Sequence, residues 1–393
     1  MISLARYSAL LARPDLKAAV FASMIGRLPI GIAGLSILLL AQSATGSFAR
    51  GGATAAAYVV GLACFAPVLG RFIDRSGPRP ALLWCGCAFP AALIALVLAV
   101  RAGTDAAVAL ALAFAAGANF PPITVCMRTF FRRRLGEESL LATAYSLESV
   151  LIETIFIAGP ILVAVFVAYA SAAVAVLFAA FCALTGTLMF VRSPALKDWR
   201  IEARTAASLS GPLAERGFVP LLAVILGYSA AFGLVEIGVT AYAAEAGRPA
   251  LAGVLLGLMS VGSAAGGLAY GSRSWRLPLA RQFAATLCIL GAGVALLALP
   301  MHAWLFALVS VAAGIVMAPA LTIQSMLVAR TASPQHMTEA FTWSTTGLLA
   351  GVGIGIATGG WLIERWNSGA TFVAAAIAAL CAGALAAVWL RAD

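Results

Sequence analysis

Charge is scarce in this sequence. Only 10% of its 393 residues are Asp, Glu, Lys or Arg, where a soluble domain carries about a quarter. Histidine occurs twice, at His302 and His336, and both fall between the apolar runs. The 15 carboxylates include no D-x-x-D pair of the kind a metal-dependent membrane transferase uses to hold a cation and a phosphate. No G-x-S-x-G elbow stands before a helix with acid and His partners, which excludes a serine hydrolase. No catalytic residue, metal ligand set or cofactor is therefore expected, and the chain reads as something other than an enzyme. Seven cysteines (Cys64, Cys85, Cys87, Cys126, Cys182, Cys288 and Cys381) are scattered through the apolar runs. Cys85 and Cys87 form the closest pair, but two residues apart on a helix they point to different faces, so no disulfide framework is implied.

What is abundant is apolar: 63% of residues, with a mean hydropathy of +1.02. That excludes a soluble protein and implies an integral membrane protein. About 20 mostly apolar residues make one spanning helix, because backbone amides in hydrocarbon must bond within their own segment. With that measure the chain divides into twelve spans, near 16–42, 53–70, 81–100, 106–128, 140–166, 170–191, 218–244, 250–271, 281–300, 304–328, 339–365 and 370–390. No period-two alternation runs through them, which excludes a barrel. The basic start of the chain precedes an apolar run too long for a signal peptide and lacks a small-residue cleavage site, so a retained first helix is expected.

Of the 25 Lys and Arg, 20 fall on one side of this twelve-span layout, counting Arg128 with the run Arg132–Arg134. Arg50, Arg101, Arg248 and Arg365 fall on the other, and Arg27 lies within a span. By the positive-inside rule both termini are cytoplasmic. The net charge of +10 then reflects topology and contact with anionic headgroups, not nucleic-acid binding. Ala richness and the dominance of Arg over Lys point to a bacterial inner membrane, and a monomer is expected.

The two halves are related. Shifts of 196 to 198 lay Gly70 on Gly266, "GANFPP" (117–122) on "GIVMAP" (314–319) and "ATAYS" (142–146) on "AFTWS" (340–344). Two six-helix bundles, 1–191 and 218–393, joined by a cytoplasmic linker at 192–217, suit a transporter that rocks two halves about a midplane site. In that setting "GRFIDRSGPR" (70–79) resembles the loop between spans two and three of the major facilitator superfamily, G-x-x-x-D-R-x-G-x-R, through Gly70, Asp74, Arg75, Gly77 and Arg79. It departs from the pattern at Pro78 and Pro80, and "GGLAYGSRSWR" (266–276), the second copy, has no acid. The resemblance implies that Asp74 pairs with arginines of its own half and with the N-terminal end of span eleven, near Thr338 and Glu339, latching the halves in an outward-open state. A solvated charge serving topology alone is the other reading.

Ionisable residues inside spans are costly and by default functional. Four qualify: Arg27, Glu148, Glu153 and Glu236. Arg27 lies about 16 Å into span one, beside Gly26 and before Pro29, where a helix can kink. Glu153 matches its depth best, so an Arg27–Glu153 pair is expected, with Glu148 about 140° away around the helix. A buried carboxyl group that a moving arginine alternately covers and leaves can load and release a proton; a static ion pair between spans one and five is the alternative. Asn119 before the double proline of span four, and Gln324 in span ten beyond Pro319, mark helix breaks that can line a substrate site. Tyr145, Tyr228 and Trp343 are candidates for an aromatic cavity.

Few amides and charges among many apolar residues favour an amphipathic or lipophilic solute over a sugar. Proton-coupled export is the leading expectation, and proton-coupled import or facilitated movement of a small metabolite is the alternative. The antiporter signature G-x-x-x-G-P-x-x-G-G is kept only as Gly159-Pro160, and the family's span-four arginine would fall at Ala113. Either Arg27 has taken that role or coupling differs. A non-transporting sensor or scaffold is the reading from another class.

Overall fold

Long apolar segments with no period-two alternation cross hydrocarbon as helices, and those of this chain do so among the described residues. The structure, a computed structural model, describes residues 4–193, 196, 199, 211–248 and 251–390, with the side chains of residues 4, 5, 48 and 49 outside the description. Most of the 192–217 linker, with Lys197, Arg200 and Arg204, lies outside the described residues, as does Arg391.

Twelve helical stretches are long and apolar enough to span a membrane. The first is broken into α2 (Pro14–Arg27) and α3 (Pro29–Thr45), and is preceded by a short α1 (Leu4–Leu11). Then come α4 (Phe48–Ser76) and α5 (Pro78–Arg101). The fourth span is α6 (Ala106–Ala118) with α7 (Ile123–Arg134), followed by α8 (Glu138–Tyr169) and α9 (Ala172–Arg192). The second half holds α10 (Phe218–Glu245), α11 (Leu251–Gly271), α12 (Leu279–Leu297), α13 (Ala303–Gly314) with α14 (Met317–Thr331), α15 (Met337–Arg365) and α16 (Ser368–Trp389). The helices outrun the apolar windows on the arginine-rich face, to Ser76 instead of 70 and to Arg134 instead of 128. Hydropathy marks the hydrocarbon, whereas a helix continues into the headgroup region as long as its backbone bonds are met.

Proline sets the breaks. Pro29 has no N–H and cannot continue α2, so α3 starts at its ring. Pro121 and Pro122 likewise separate α6 from α7. Between them Asn119 closes α6 by donating Nδ2 to the Ala115 carbonyl at 2.8 Å. Pro319 sits in the first turn of α14, where the backbone N–H has no intrahelical partner to lose.

Each half is a six-helix bundle, and the two are related by matching contacts. In the first, α4 packs on α6 with Gly61 against the Phe114 carbonyl and Gly117 against the Tyr58 carbonyl; a Cβ added there would lie 2.2 and 1.8 Å from those oxygens. In the second, α11 packs on α13 with Gly262 against the Val311 carbonyl and Gly314 against that of Met259. Gly117 and Gly314 keep the 197-residue offset. Gly61 and Gly262 are instead 201 apart, so the alignment of Gly70 with Gly266 is corrected to Gly70 with Gly271. The register of α11 is set by these glycine contacts with α13, which a uniform shift of the sequence does not contain.

Across the molecule α4 packs on α15, and α8 on α11 and α14. Gly70 of α4 abuts Thr342 of α15, and Gly271 of α11 abuts Ser146 of α8, at pseudo-equivalent places. On the arginine-rich face one apolar core runs through both bundles, from Leu16, Phe131 and Tyr145 to Tyr228, Phe283 and Phe341. Towards the opposite face the core divides in two. One part, with Ile37, Phe89 and Val176, belongs to the first bundle, and the other, with Val239, Phe306 and Phe372, to the second.

Candidate functional site

Two groups of polar residues stand out, a set of contacts between the halves on the arginine-rich face and a buried charge cluster above it. The first starts from Gly77, whose φ of +80° only glycine adopts freely. It ends α4 in a tight turn and leaves Asp74 one turn back, facing α15. Asp74 accepts hydrogen bonds from the backbone N–H groups of Thr338 (Oδ1, 3.1 Å) and Glu339 (Oδ2, 2.7 Å). These first-turn amides lack intrahelical partners and carry the positive end of the helix dipole. Arg71 meets Glu339 Oε1 through Nε at 3.0 Å and Nη2 at 2.6 Å. Of the arginines in its own half, Arg133 lies within electrostatic reach of Asp74, whereas Arg75 and Arg79 are exposed and no ion pair joins either of them to Asp74 among the described residues. Helix geometry explains this, since Arg75 projects about 100° around α4 from Asp74 and Arg79 already belongs to α5.

Further bonds join the halves on the same side. Arg132 donates to the Ala329 carbonyl at 3.1 Å, Thr143 to that of Gly271 at 2.7 Å, and Arg330 pairs with Glu138. Tyr7 of α1 bridges the α8–α11 seam, 3.0 Å from Ser146 Oγ and donating to the Leu268 carbonyl at 3.0 Å. Asp74→Ala should weaken this closure. Losing two bonds to a charged acceptor is worth about 2 kcal/mol, roughly 30-fold in an opening equilibrium. A cysteine placed at Thr342, 1% exposed under Gly70, should then react with a soluble maleimide at least about tenfold faster; an unchanged rate would remove Asp74 from the latch.

The charge cluster forms where α2, α7 and α8 meet. Arg27 is the last residue of α2, just before the proline break. Helical side chains lean towards the N-terminus of their own helix. Its guanidinium accordingly folds back, with Nε donating to the Ser23 carbonyl (3.2 Å) and Nη2 to Ser23 Oγ (2.8 Å). The expected partner was Glu153; the structure pairs Arg27 with Glu148, Nη1 to Oε1 at 3.3 Å. Glu148 lies five residues, about 7.5 Å, nearer the arginine-rich face, which is the way Arg27 leans. Glu148 also receives Arg128, Nε to Oε1 at 3.1 Å. The exposure of the three side chains is 1% for Arg27, 9% for Arg128 and 2% for Glu148. The Tyr145 hydroxyl steadies Arg128 by donating to its carbonyl at 3.1 Å.

Arg128 is the residue that sequence reasoning misplaced. Grouped with the run 132–134, it belongs one helical turn further in, because α7 does not end there but continues to Arg134. Its side chain then leans back into the membrane. The signal was present in the spacing, since Thr129, Phe130 and Phe131 separate it from the other arginines by one turn.

The remaining candidates disperse. Glu153 is half-buried between the bundles and accepts from Ser263 Oγ at 2.9 Å, while the same oxygen receives the Ala318 N–H at 3.0 Å. No cation neutralises it among the described residues. Glu236 is exposed on α10, and its carboxylate has no hydrogen-bond partner among the described residues. Tyr145 and Tyr228 do not line an aromatic cavity: at 1% and 0% exposure they are core, with Tyr228 donating to Gln324, whose Nε2 reaches Ser344 Oγ at 2.6 Å. Both rings stack edge-on with phenylalanines, Tyr145 with Phe131 and Phe341 and Tyr228 with Phe232 and Phe283, which removes them from any open space. Asn119 spends its amide inside the first bundle, accepting from Trp84 Nε1 at 2.9 Å. Trp343 is partly buried with Nε1 unpartnered.

No family model and no curated protein matches this chain. Among solved structures, it is similar to the human organic anion transporter MFSD10 (TETRAN), at 18% identity over 95% of this chain and 100% of that one, with a TM-score of 0.71. It is also similar to a bacterial homologue of the iron transporter ferroportin in an outward-facing state, at 15% identity over 96% and 99%, with a TM-score of 0.79. A third is the E. coli fucose:proton symporter FucP, at 15% identity over 97% and 100%, with a TM-score of 0.71. The fold is that of the major facilitator superfamily. At these identities the likeness is one of fold, with twelve helices in two pseudo-symmetric bundles.

Proposed function

We propose that this protein is a secondary transporter that moves a small amphipathic or lipophilic solute by alternating access, exporting it in exchange for protons across the bacterial inner membrane. One observation carries the reading: a single core unites the bundles on the arginine-rich face and separates into two towards the other. Halves joined at one end only are arranged to rock. The bonds that close that end are reversible contacts between side chains and helix termini. With the arginine-rich face cytoplasmic, both termini lie inside and the state described is closed to the cytoplasm. The working units are the bundles 1–191 and 218–393, with 192–217 as the linker that tethers them. The neighbours are named for organic anions, iron and fucose, so the fold by itself selects no solute.

For coupling, Glu153 stays the proton carrier expected from sequence, without the arginine partner expected for it. It stands between the bundles, held by the hydroxyls of Ser263 and Ser260, and the seam it occupies is one that opens as the halves move. The deciding experiment places purified protein in liposomes with an internal pH dye, imposes a proton gradient, and adds lipophilic cations, neutral amphiphiles and small organic anions in turn. Solute-dependent proton flux opposite in direction to solute movement is the expected antiport. Flux in the same direction as the solute would favour the importer, and no movement of any compound would favour a sensor or scaffold.

A further inference from the structure

The charge cluster is not balanced. Arg27 and Arg128 share one carboxylate, and they share a single oxygen of it, Oε1, at 3.3 and 3.1 Å. Glu148 Oε2 is buried with no hydrogen bond. Arg128 reaches Glu148 through Nε alone, and among the described residues its two terminal nitrogens donate to nothing. A guanidinium and a carboxylate that bind each other fully do so as two parallel bonds, fork to fork. Here each arginine gives Glu148 a single bond, and the terminal nitrogens of Arg128 are not spent on it.

No second acid makes up the deficit. Glu153 is bonded to Ser263, Asp74 to the start of α15, and Glu339 to Arg71. The group facing Arg128 from the second bundle is the Tyr228 hydroxyl, which lies within its electrostatic reach and carries no charge. Arg27, at 1% exposure, is shut in behind, whereas Arg128 keeps 8% of its surface open. An entering ligand would meet Arg128 first.

We propose that the solute carries a negatively charged group, a carboxylate or its planar equivalent, which Arg128 backed by Arg27 receives while Glu148 serves as the resident anion it displaces. This rests on the transporter reading above and names its substrate class. The uneven charge count, rather than any neighbour's name, is what calls for an anion. The apolar surroundings of the cluster suit a solute whose remainder is hydrophobic.

The test is equilibrium binding to the full chain in lipid nanodiscs, with naphthalene-2-carboxylate and decanoate compared with their neutral amides. Wild type should bind each carboxylate at least about tenfold more tightly than its amide. Arg128→Gln should abolish that preference, and Arg128→Lys should keep part of it. Glu148→Gln retains a carbonyl acceptor for the guanidiniums but removes the competing charge. It should therefore bind the carboxylates several-fold more tightly than wild type and melt higher when they are added. Equal or absent binding of acid and amide to wild type, or weaker carboxylate binding by Glu148→Gln, would leave a static ion pair and overturn the proposal. Where Arg128→Gln does not fold, the wild-type ratio and Glu148→Gln decide it. Binding requires no turnover, so preferential anion binding without transport would fail the transporter reading alone. Transport of amides as fast as acids would fail the anion alone.

Discussion

Proteoliposomes carrying Glu153→Gln should move solute down its own gradient while solute-dependent proton flux falls at least about tenfold. The glutamine keeps the shape and can still accept from Ser263, so the seam between α8 and α11 is preserved, and only the exchangeable proton is lost. A carboxyl group can carry a proton through the cycle only where no fixed cation neutralises it. Glu148 fails that condition, with two arginines on one oxygen. Glu153 meets it, since its partners are serine hydroxyls on the opposite bundle, and separating the bundles changes what solvates it. Proton flux equal to wild type would transfer the role to Glu236, the other spanning carboxylate with no cation beside it among the described residues.

Glu148→Ala should be the most destabilising single change among the charged residues. It would leave two guanidiniums buried at 1% and 9% exposure with no anion between them. Removing one member of a buried ion cluster costs about 3–5 kcal/mol, because the charge left behind has neither water nor partner. The same principle gives the control: Arg27→Met, Glu148→Leu and Arg128→Met together should recover most of the loss, since an apolar set of similar volume carries no desolvation cost. Thermal unfolding in detergent reads both. A melting temperature for Glu148→Ala within a degree of wild type would mean that water entering beside Arg128 replaces the lost carboxylate. By contrast Glu153→Ala, which removes a half-buried acceptor and frees no opposite charge, should cost much less.

Composition and periodicity determined the class of this protein without help. Runs of about 20 apolar residues admit one backbone solution in hydrocarbon. The distribution of arginine about those runs orders them on two sides, and the near-constant offset between halves makes two bundles of them. Even the helix breaks were legible, because Pro29 and Pro121-Pro122 act through local covalent geometry. Gly77 and Asp74 belonged to this layer too, since a turn and an acid at its entrance can be read from neighbours in sequence.

What tertiary structure decided was every partnership across space. Arg27 met Glu148 instead of Glu153 because a long side chain follows the slope of its own helix, and no estimate of depth in sequence includes that lean. Arg128 proved to be buried because helix α7 outlasts the apolar window used to end it. The register of α11 followed its glycine contacts with α13, and two tyrosines that looked like cavity walls turned out to be core. Sequence distance determines what a backbone can do, whereas the direction of a side chain and the charge it finds there are set only when helices pack.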